Sequence, residues 1–308
     1  MTSDFLTVPE PFAVQTVERE QQAGREWLAG LPELVGQLLR DWSLTLAAPP
    51  VAGNVGLVWE VRRSDGTAAM LKVSWRDAET RNEAEALRRW DGHGAARLIE
   101  ASDEAGALLL ERLDAGTSLT SAPMDAAIEV AAELLSVLHV SEWSRSGWSG
   151  SDRSGSEWSG LDGALELESH VPAPGGTYRA RIHELRPDVV HAFRSAPHVL
   201  LHGDFHYENV LRSGTSWKAI DPKPSHGPGE WDLLPLLRNR FDEFPPGPQL
   251  LPGIRDRLES LIAATGAHPE RAYLFAHYRA LRDADYARRI DDGGFEAVAN
   301  AIADATAS

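Results

Sequence analysis

Between two aliphatic runs, the stretch LLHGDFHYENVLR (Leu200 to Arg212) gathers His202, Asp204, His206, Glu208 and Asn209 into eight positions. Three readings compete for it. Held extended, His202, Asp204 and His206 would project to one face, because side chains alternate along a strand. Two imidazoles and a carboxylate on one face suit a divalent transition metal, and with it a metal-dependent hydrolase. Gly203 interrupts that strand, however, and no second cluster of ligands stands elsewhere in the chain. The second reading takes the spacing from His202 through Asp204 to Asn209 as a phosphoryl-transfer loop. There an aspartate accepts the proton of the attacking hydroxyl and an asparagine holds magnesium. The third is a polar turn with no chemistry.

The phosphoryl-transfer reading makes further demands, and the chain meets them in order. A second magnesium carboxylate is needed on the hairpin that follows, and Asp221 stands twelve residues beyond Asn209 in AIDPKP. A strand lysine is needed for the phosphates, and Lys72 stands in AMLKVSW. That lysine needs an acidic partner on the next helix. Glu83 lies eleven residues on, with Glu85 as its rival, and helical positions two apart face different ways, so only one should reach. The physical demand is one of charge. A transferring phosphoryl group spreads negative charge over its oxygens, so lysine and magnesium neutralise it while one carboxylate orients the hydroxyl. The phosphate-covering loop is the poorest match, since VAGNVGLVW offers only Gly53 and Gly56.

The elements that must carry these groups are legible in outline. Residues 16–42 hold two helical patterns. SLTLA, GLVWEVRR and AAMLKVSW read as strands, the last two joined by the hairpin signal SDGT. RDAETRNEAEALRRWDG reads as a helix, and ARLIEA and ALLLERL as two more strands. After DAGTSLTSAP come the helix MDAAIEVAAELLSVLHV, then a Ser/Gly/Trp-rich stretch at 141–160 containing Trp143, Trp148 and Trp158, expected to be a flexible insertion. A long helix is expected over 176–196, short strands around the polar loop, and helices from Glu230 onward. The fold class is therefore α+β with two lobes. An N-terminal lobe (1–112) has an antiparallel five-stranded sheet and one helix, a hinge spans 113–117, and a larger helical lobe fills 118–308. A cleft between lobes is a common place for a ligand site.

Composition bounds the rest. The 308 residues include 43 % hydrophobic and 25 % charged side chains, ordinary for a soluble globular protein with sizeable cores. A net charge of −16 argues against nucleic acid or an anionic membrane as partner and is compatible with a cationic small molecule. The absence of cysteine excludes disulfides, thiolate nucleophiles and cysteine-ligated zinc. No secretory signal and no apolar run long enough to span a membrane is visible, so a cytoplasmic protein is expected.

With these residues in hand, the chain resembles the aminoglycoside phosphotransferase superfamily, and within it the streptomycin 6-phosphotransferase and hydroxyurea-resistance kinase group. LLHGDFHYENVLR, AIDPKPSHGPGEWDLLPLLRNR, GTAAMLKVSW, EAEALRRWDGHGAARLIEA and LLLERLDAGTSL carry the resemblance, from about residue 40 to 242. It implies a protein-kinase-like fold and ATP- and Mg2+-dependent transfer to a hydroxyl of an aminoglycoside-type acceptor such as streptomycin. A kinase of a sugar, amino alcohol or other metabolite is the nearest alternative, and a catalytically silent nucleotide-binding module a further one. Residue by residue, it implies that Asp204 is the catalytic base, Asn209 and Asp221 the magnesium ligands, Lys72 the contact to the α- and β-phosphates and Glu83 its ion-pair partner. Glu111, Arg112 and Leu113 would form the adenine-facing hinge. His202 would brace the loop, and Asp232 would anchor it by accepting backbone N–H bonds. His206, Lys223, Glu230, Asp283 and Asp285 are candidates for the acceptor site, the carboxylates as grips for a cation, and Lys223 is equally a candidate phosphate contact or a solvated turn lysine. His139 is expected to face the core.

Overall fold

The computed structural model describes residues 4–77, 80–140 and 176–307, so the insertion expected at 141–160 lies outside the described residues. The chain divides into two compact units, Met1–Leu113 and Asp114–Ser308.

In the first unit, helix α1 (Glu10–Asp41) covers one face of an antiparallel sheet. The strands are β1 (Leu44–Leu46), β2 (Val51–Ala52), β3 (Gly56–Arg63), β4 (Ala68–Ser74), β5 (Leu98–Ser102) and β6 (Ala107–Glu111). Their order is β1-β3-β4-β6-β5, with β2 beside β3. The five expected strands are thus joined by one of two residues. The two helical patterns of 16–42 lie in α1, which begins earlier, at Glu10, and is two helices joined across a kink at Gln21 (φ 55°, ψ −126°). The SDGT hairpin forms as read: Gly66 takes φ +83° and Asp65 Oδ1 accepts the Thr67 N–H at 2.9 Å.

Alternation decides which side chains of this sheet meet α1. Leu57, Trp59 and Val61 of β3 and Ala69, Leu71 and Val73 of β4 pack with Leu31, Val35 and Leu38 of the helix. Each large apolar side chain so buried is worth about 1.5–3 kcal/mol. A one-residue slip of β4 would exchange its faces, so this burial fixes the register that opposes Lys72 to Val58 and Leu108. Lys72, one step out of phase with Leu71 and Val73, therefore emerges on the other face. There it meets helix α2 (Glu83–Trp90), which is shorter than the charged pattern from Arg76 suggests.

The second unit holds two small sheets. Strands β7 (Asp114–Ser118), β9 (Val210–Ser213) and β10 (Ser216–Ala219) form one in the order β10-β9-β7. Strands β8 (Val199–Leu201) and β11 (Ser225–Gly227) form the other. Most of the segment expected as a hinge is accordingly a strand paired with β9, and Leu113 ends the first unit. The helices are α3 (Met124–Leu138), α4 (Thr177–Ser195), α5 (Leu234–Arg238), α6 (Leu250–Thr265), α7 (Pro269–Arg289) and α8 (Gly293–Thr306). Phe193 of α4, Trp231 and Phe275 of α7 meet edge to face, with centroids 5.3 and 5.1 Å apart about the tryptophan, and tie these helices to the segment that follows β11. Among the described residues, no helix is long and apolar enough to cross a membrane.

Candidate active site

The chain from β8 to β11 is one interlocked device. The polar loop leaves β8 at His202, passes a short 3-10 turn at Tyr207–Asn209 and enters β9. The hairpin β9–β10 returns the chain, Asp221 follows it, and Lys223 leads into β11, which closes back on β8. Two main-chain bonds lock this circuit. The Lys223 N–H donates to His202 O at 2.8 Å, and the Ile220 N–H donates to Asn209 O at 2.8 Å. The second bond sets Asp221 beside Asn209.

Gly203 makes the first turn at φ +82°, where a Cβ would lie 2.0 Å from Lys223 O. Only glycine fits there. The turn also ends any extended run through His202, Asp204 and His206, so the alternation on which a metal triad depended does not occur. Both His202 ring nitrogens are engaged as well. Nε2 donates to Ile220 O at 3.1 Å, and Nδ1 accepts the Asp204 N–H at 3.4 Å. A carbonyl can only accept, so the ring is the neutral Nε2–H tautomer, in keeping with burial that pushes its pKa below the usual histidine range against three nearby carboxylates. Among the described residues, no group of three metal-ligating side chains is gathered.

Asp232, fully buried, pins the loop from behind. Its Oδ2 accepts the His202 N–H at 2.9 Å and its Oδ1 the Gly203 N–H at 2.8 Å. His139, at the end of α3, donates through Nε2 to Oδ2 at 3.0 Å. Burial alone would raise this carboxyl's pKa, but the hydrogen bond and charge of His139, with His202 and the Gly203 N–H, hold it below the usual range. His139 is the contributor the sequence did not disclose. It lies 93 positions from Asp232, and no local spacing marks the pair.

So held, Asp204 stands at the loop's partly exposed edge. Its Oδ2 is 3.4 Å from Lys223 Nζ and its Oδ1 is 4.0 Å from His206 Nε2. Asn209 donates its amide N–H to the main-chain oxygen of Asp204 at 3.0 Å, which leaves the amide oxygen as a donor toward a cation. Asp221 is exposed and takes φ +58°, a left-handed conformation that aspartate tolerates better than most residues. Asn209 and Asp221 together present hard oxygen donors in the number magnesium usually takes from protein, with phosphates and water completing its shell. Burial pushes the His206 pKa down, against the pull of Asp204 and Glu208.

In the first unit, Lys72 Nζ bonds both Glu83 oxygens, at 2.7 and 2.8 Å, and both side chains are buried. Glu85 accepts from Arg89 Nε instead, at 3.0 Å. Removing one partner of a buried pair strands the other charge, at a cost of about 3–5 kcal/mol. Gly56 has a packing reason of its own, since a Cβ there would meet Ser74 Oγ at 2.5 Å and Val73 O at 2.8 Å, whereas Gly53 has space. Glu111 accepts the Arg97 N–H at 2.7 Å, Arg112 pairs with Glu60 at 3.2 Å, and Leu113 is buried.

The three carboxylates expected as cation grips each pair with arginine. Glu230 is buried, accepts the His268 N–H and pairs with Arg271 at 2.7 Å; although burial would raise its pKa, these bonds hold it low. Asp283 pairs with Arg238 at 2.9 Å, and Asp285 with Arg179 at 3.0 Å and Arg289 at 3.4 Å.

Residues 41–145 and 194–293 match the family described as aminoglycoside/hydroxyurea antibiotic resistance kinase. The chain is 34 % identical over 297 residues to streptomycin 6-kinase of Streptomyces glaucescens, covering 95 % of this chain and 94 % of that one. It is 39 % identical over 232 residues to hydroxyurea phosphotransferase of Kitasatospora aureofaciens, covering 71 % and 64 %. Among solved structures it resembles choline kinase LicA of Streptococcus pneumoniae, with a TM-score of 0.55 at 12 % identity over 89 % of this chain and 98 % of that one. That likeness is one of fold, and the fold is protein-kinase-like.

Proposed function

Because the chain belongs to the aminoglycoside/hydroxyurea antibiotic resistance kinase family, we propose that it moves the γ-phosphate of ATP to a hydroxyl of an aminoglycoside, with streptomycin as the first acceptor to test. It is a phosphotransferase with a small-molecule substrate, and ATP is the donor its family uses. The observation that carries the reading is the carboxylate of Asp204, at the exposed edge of a loop pinned by Asp232, with Asn209 and Asp221 side by side behind it.

Asp204 accepts the proton of the acceptor hydroxyl while that oxygen bonds to the γ-phosphorus. The bond from phosphorus to the β–γ bridging oxygen breaks, and its electron pair leaves with ADP. Asn209 and Asp221 would hold magnesium, which when bound neutralises phosphate charge. Lys72, oriented by Glu83, would engage the α- and β-phosphates. The main chain of Glu111 to Leu113 would meet the adenine. His202 and Asp232 keep the Asp204 backbone fixed, so the base need not be reoriented at each turnover.

One observation favours a second reading. Glu230, Asp283 and Asp285 are all paired to arginine, so none of the three is a ready grip for a polycation, and hydroxyurea, the substrate named for one relative, is small and uncharged. Incubation with Mg-ATP and a panel of streptomycin, other aminoglycosides, hydroxyurea and simple sugars, read by mass spectrometry for a phosphate-sized gain, separates the two. Gain on streptomycin is the expected result. Gain on hydroxyurea alone favours the second reading, and gain on sugars alone overturns both.

A further inference from the structure

Lys223 has no place in the phosphoryl-transfer scheme above, yet its ammonium lies 3.4 Å from Oδ2 of Asp204, nearer than any other charged group found there. Its backbone is held on every side. Pro222 and Pro224 flank it, and a residue before proline is confined to extended conformations. Its N–H donates to His202 O, and its own carbonyl fills the space that the missing side chain of Gly203 leaves open. A lysine in a solvated turn needs none of this. Such constraint fixes where the side chain leaves the backbone, and from there the amine reaches the Asp204 carboxylate.

The charge logic of the transfer explains why a cation belongs there. A base close enough to take the hydroxyl's proton is also close to the incoming phosphoryl oxygens, and its negative charge repels theirs. Once the proton has moved to Asp204, that carboxyl is neutral, and the adjacent ammonium is left facing the oxygens that now carry the charge. Building on the kinase reading, we propose that Lys223 is a catalytic residue of the transfer: it offsets the charge of Asp204 as donor and acceptor meet, and stabilises the phosphoryl oxygens as the proton leaves the hydroxyl. Its action falls on kcat, because the interaction strengthens only as charge moves.

The chain contains no cysteine, so Lys223→Cys creates a single reactive thiol. Alkylation with 2-bromoethylamine rebuilds a cationic side chain of lysine length, and iodoacetamide gives a neutral one. Lys223→Cys is expected to lower kcat at saturating substrates by about 10²-fold, with Mg-ATP affinity by calorimetry unchanged. Bromoethylamine should restore most of the loss and iodoacetamide none. Lys223→Met, which keeps the stem, should reproduce the loss should the thiol variant fold poorly. Unchanged kcat in both variants, equal rescue by both reagents, or a defect confined to Mg-ATP affinity or acceptor KM would overturn the proposal. Absence of transfer by the wild type to every acceptor would instead refute the kinase reading itself.

Discussion

Asp204 and His206 stand within 4.0 Å of one another, and either could in principle take a proton. Position favours Asp204, whose carboxylate stands at the partly exposed edge of the loop that Asp232 pins and beside Lys223, while burial disfavours the charged form of the His206 ring. Asp204→Asn tests the assignment cleanly, because Asn209 bonds the main-chain oxygen of residue 204 and that bond survives the substitution. The expected result is a fall in kcat of about 10²–10⁴-fold, typical of losing a general base, with Mg-ATP affinity by calorimetry retained. Full activity of the variant would remove Asp204 from the mechanism.

Each side chain of the site takes its position from an element, and the tightest of these is the circuit from β8 to β11. Gly203 is its closest point, with no room for a Cβ against Lys223 O and a φ that L side chains avoid. Gly203→Ala is expected to cost on the order of 2–4 kcal/mol and to lower kcat, because the strain falls on the turn that leads to Asp204. Gly53→Ala, whose Cβ finds its nearest neighbour at 3.6 Å, should leave denaturant midpoints unchanged. Equal effects of the two would mean that the turn yields. The same circuit separates what a sequence discloses from what it hides. Motif spacing and strand alternation are local, so the Asp204, Asn209 and Asp221 order, the hairpin at Gly66 and the out-of-phase Lys72 could all be read from the residues. Residues two apart on a helix face different ways, so only one of Glu83 and Glu85 could be expected to reach Lys72. Pairings across the fold left no local trace. Asp283 meets an arginine 45 positions away, Asp285 one 106 positions away besides Arg289 four residues on, and Asp232 a histidine 93 positions away. Acidic residues on a helix thus looked available when their partners were merely distant in sequence. The extra strand β2, two residues long, lies below the length at which alternation has meaning.

At the scale of the molecule, net charge and titration part company. A charge of −16 favours proton uptake as pH falls, but uptake that is equal in the folded and unfolded chain leaves stability unchanged. What matters is the difference between the states, and three histidines supply it. Burial lowers the pKa of His202, His206 and His277 below the unfolded value of 6.5, and all three belong to the unit Asp114–Ser308. Below pH 6.5 the unfolded chain binds protons that the folded chain refuses. Stability from this source is therefore full above pH 6.5 and declines as pH falls toward the folded values, by about 1.4 kcal/mol per pH unit for each histidine. Few carboxylates titrate near pH 6, so the histidines dominate the slope there. His277 isolates one share of it, since its Nδ1–H donates to Ala303 O at 2.9 Å, on α8 and not on the catalytic loop. His277→Asn keeps an N–H donor near that place and removes the titration. Calorimetric melts of the full chain at pH 7.5, 6.5 and 5.5 should show Tm of the second unit falling between the last two values. In the variant the fall should be shallower by one proton's worth, whatever its absolute stability. A wild-type Tm that stays flat across this range, or a variant with the wild-type slope, would mean that His277 takes up its proton as readily in the folded chain as in the unfolded one.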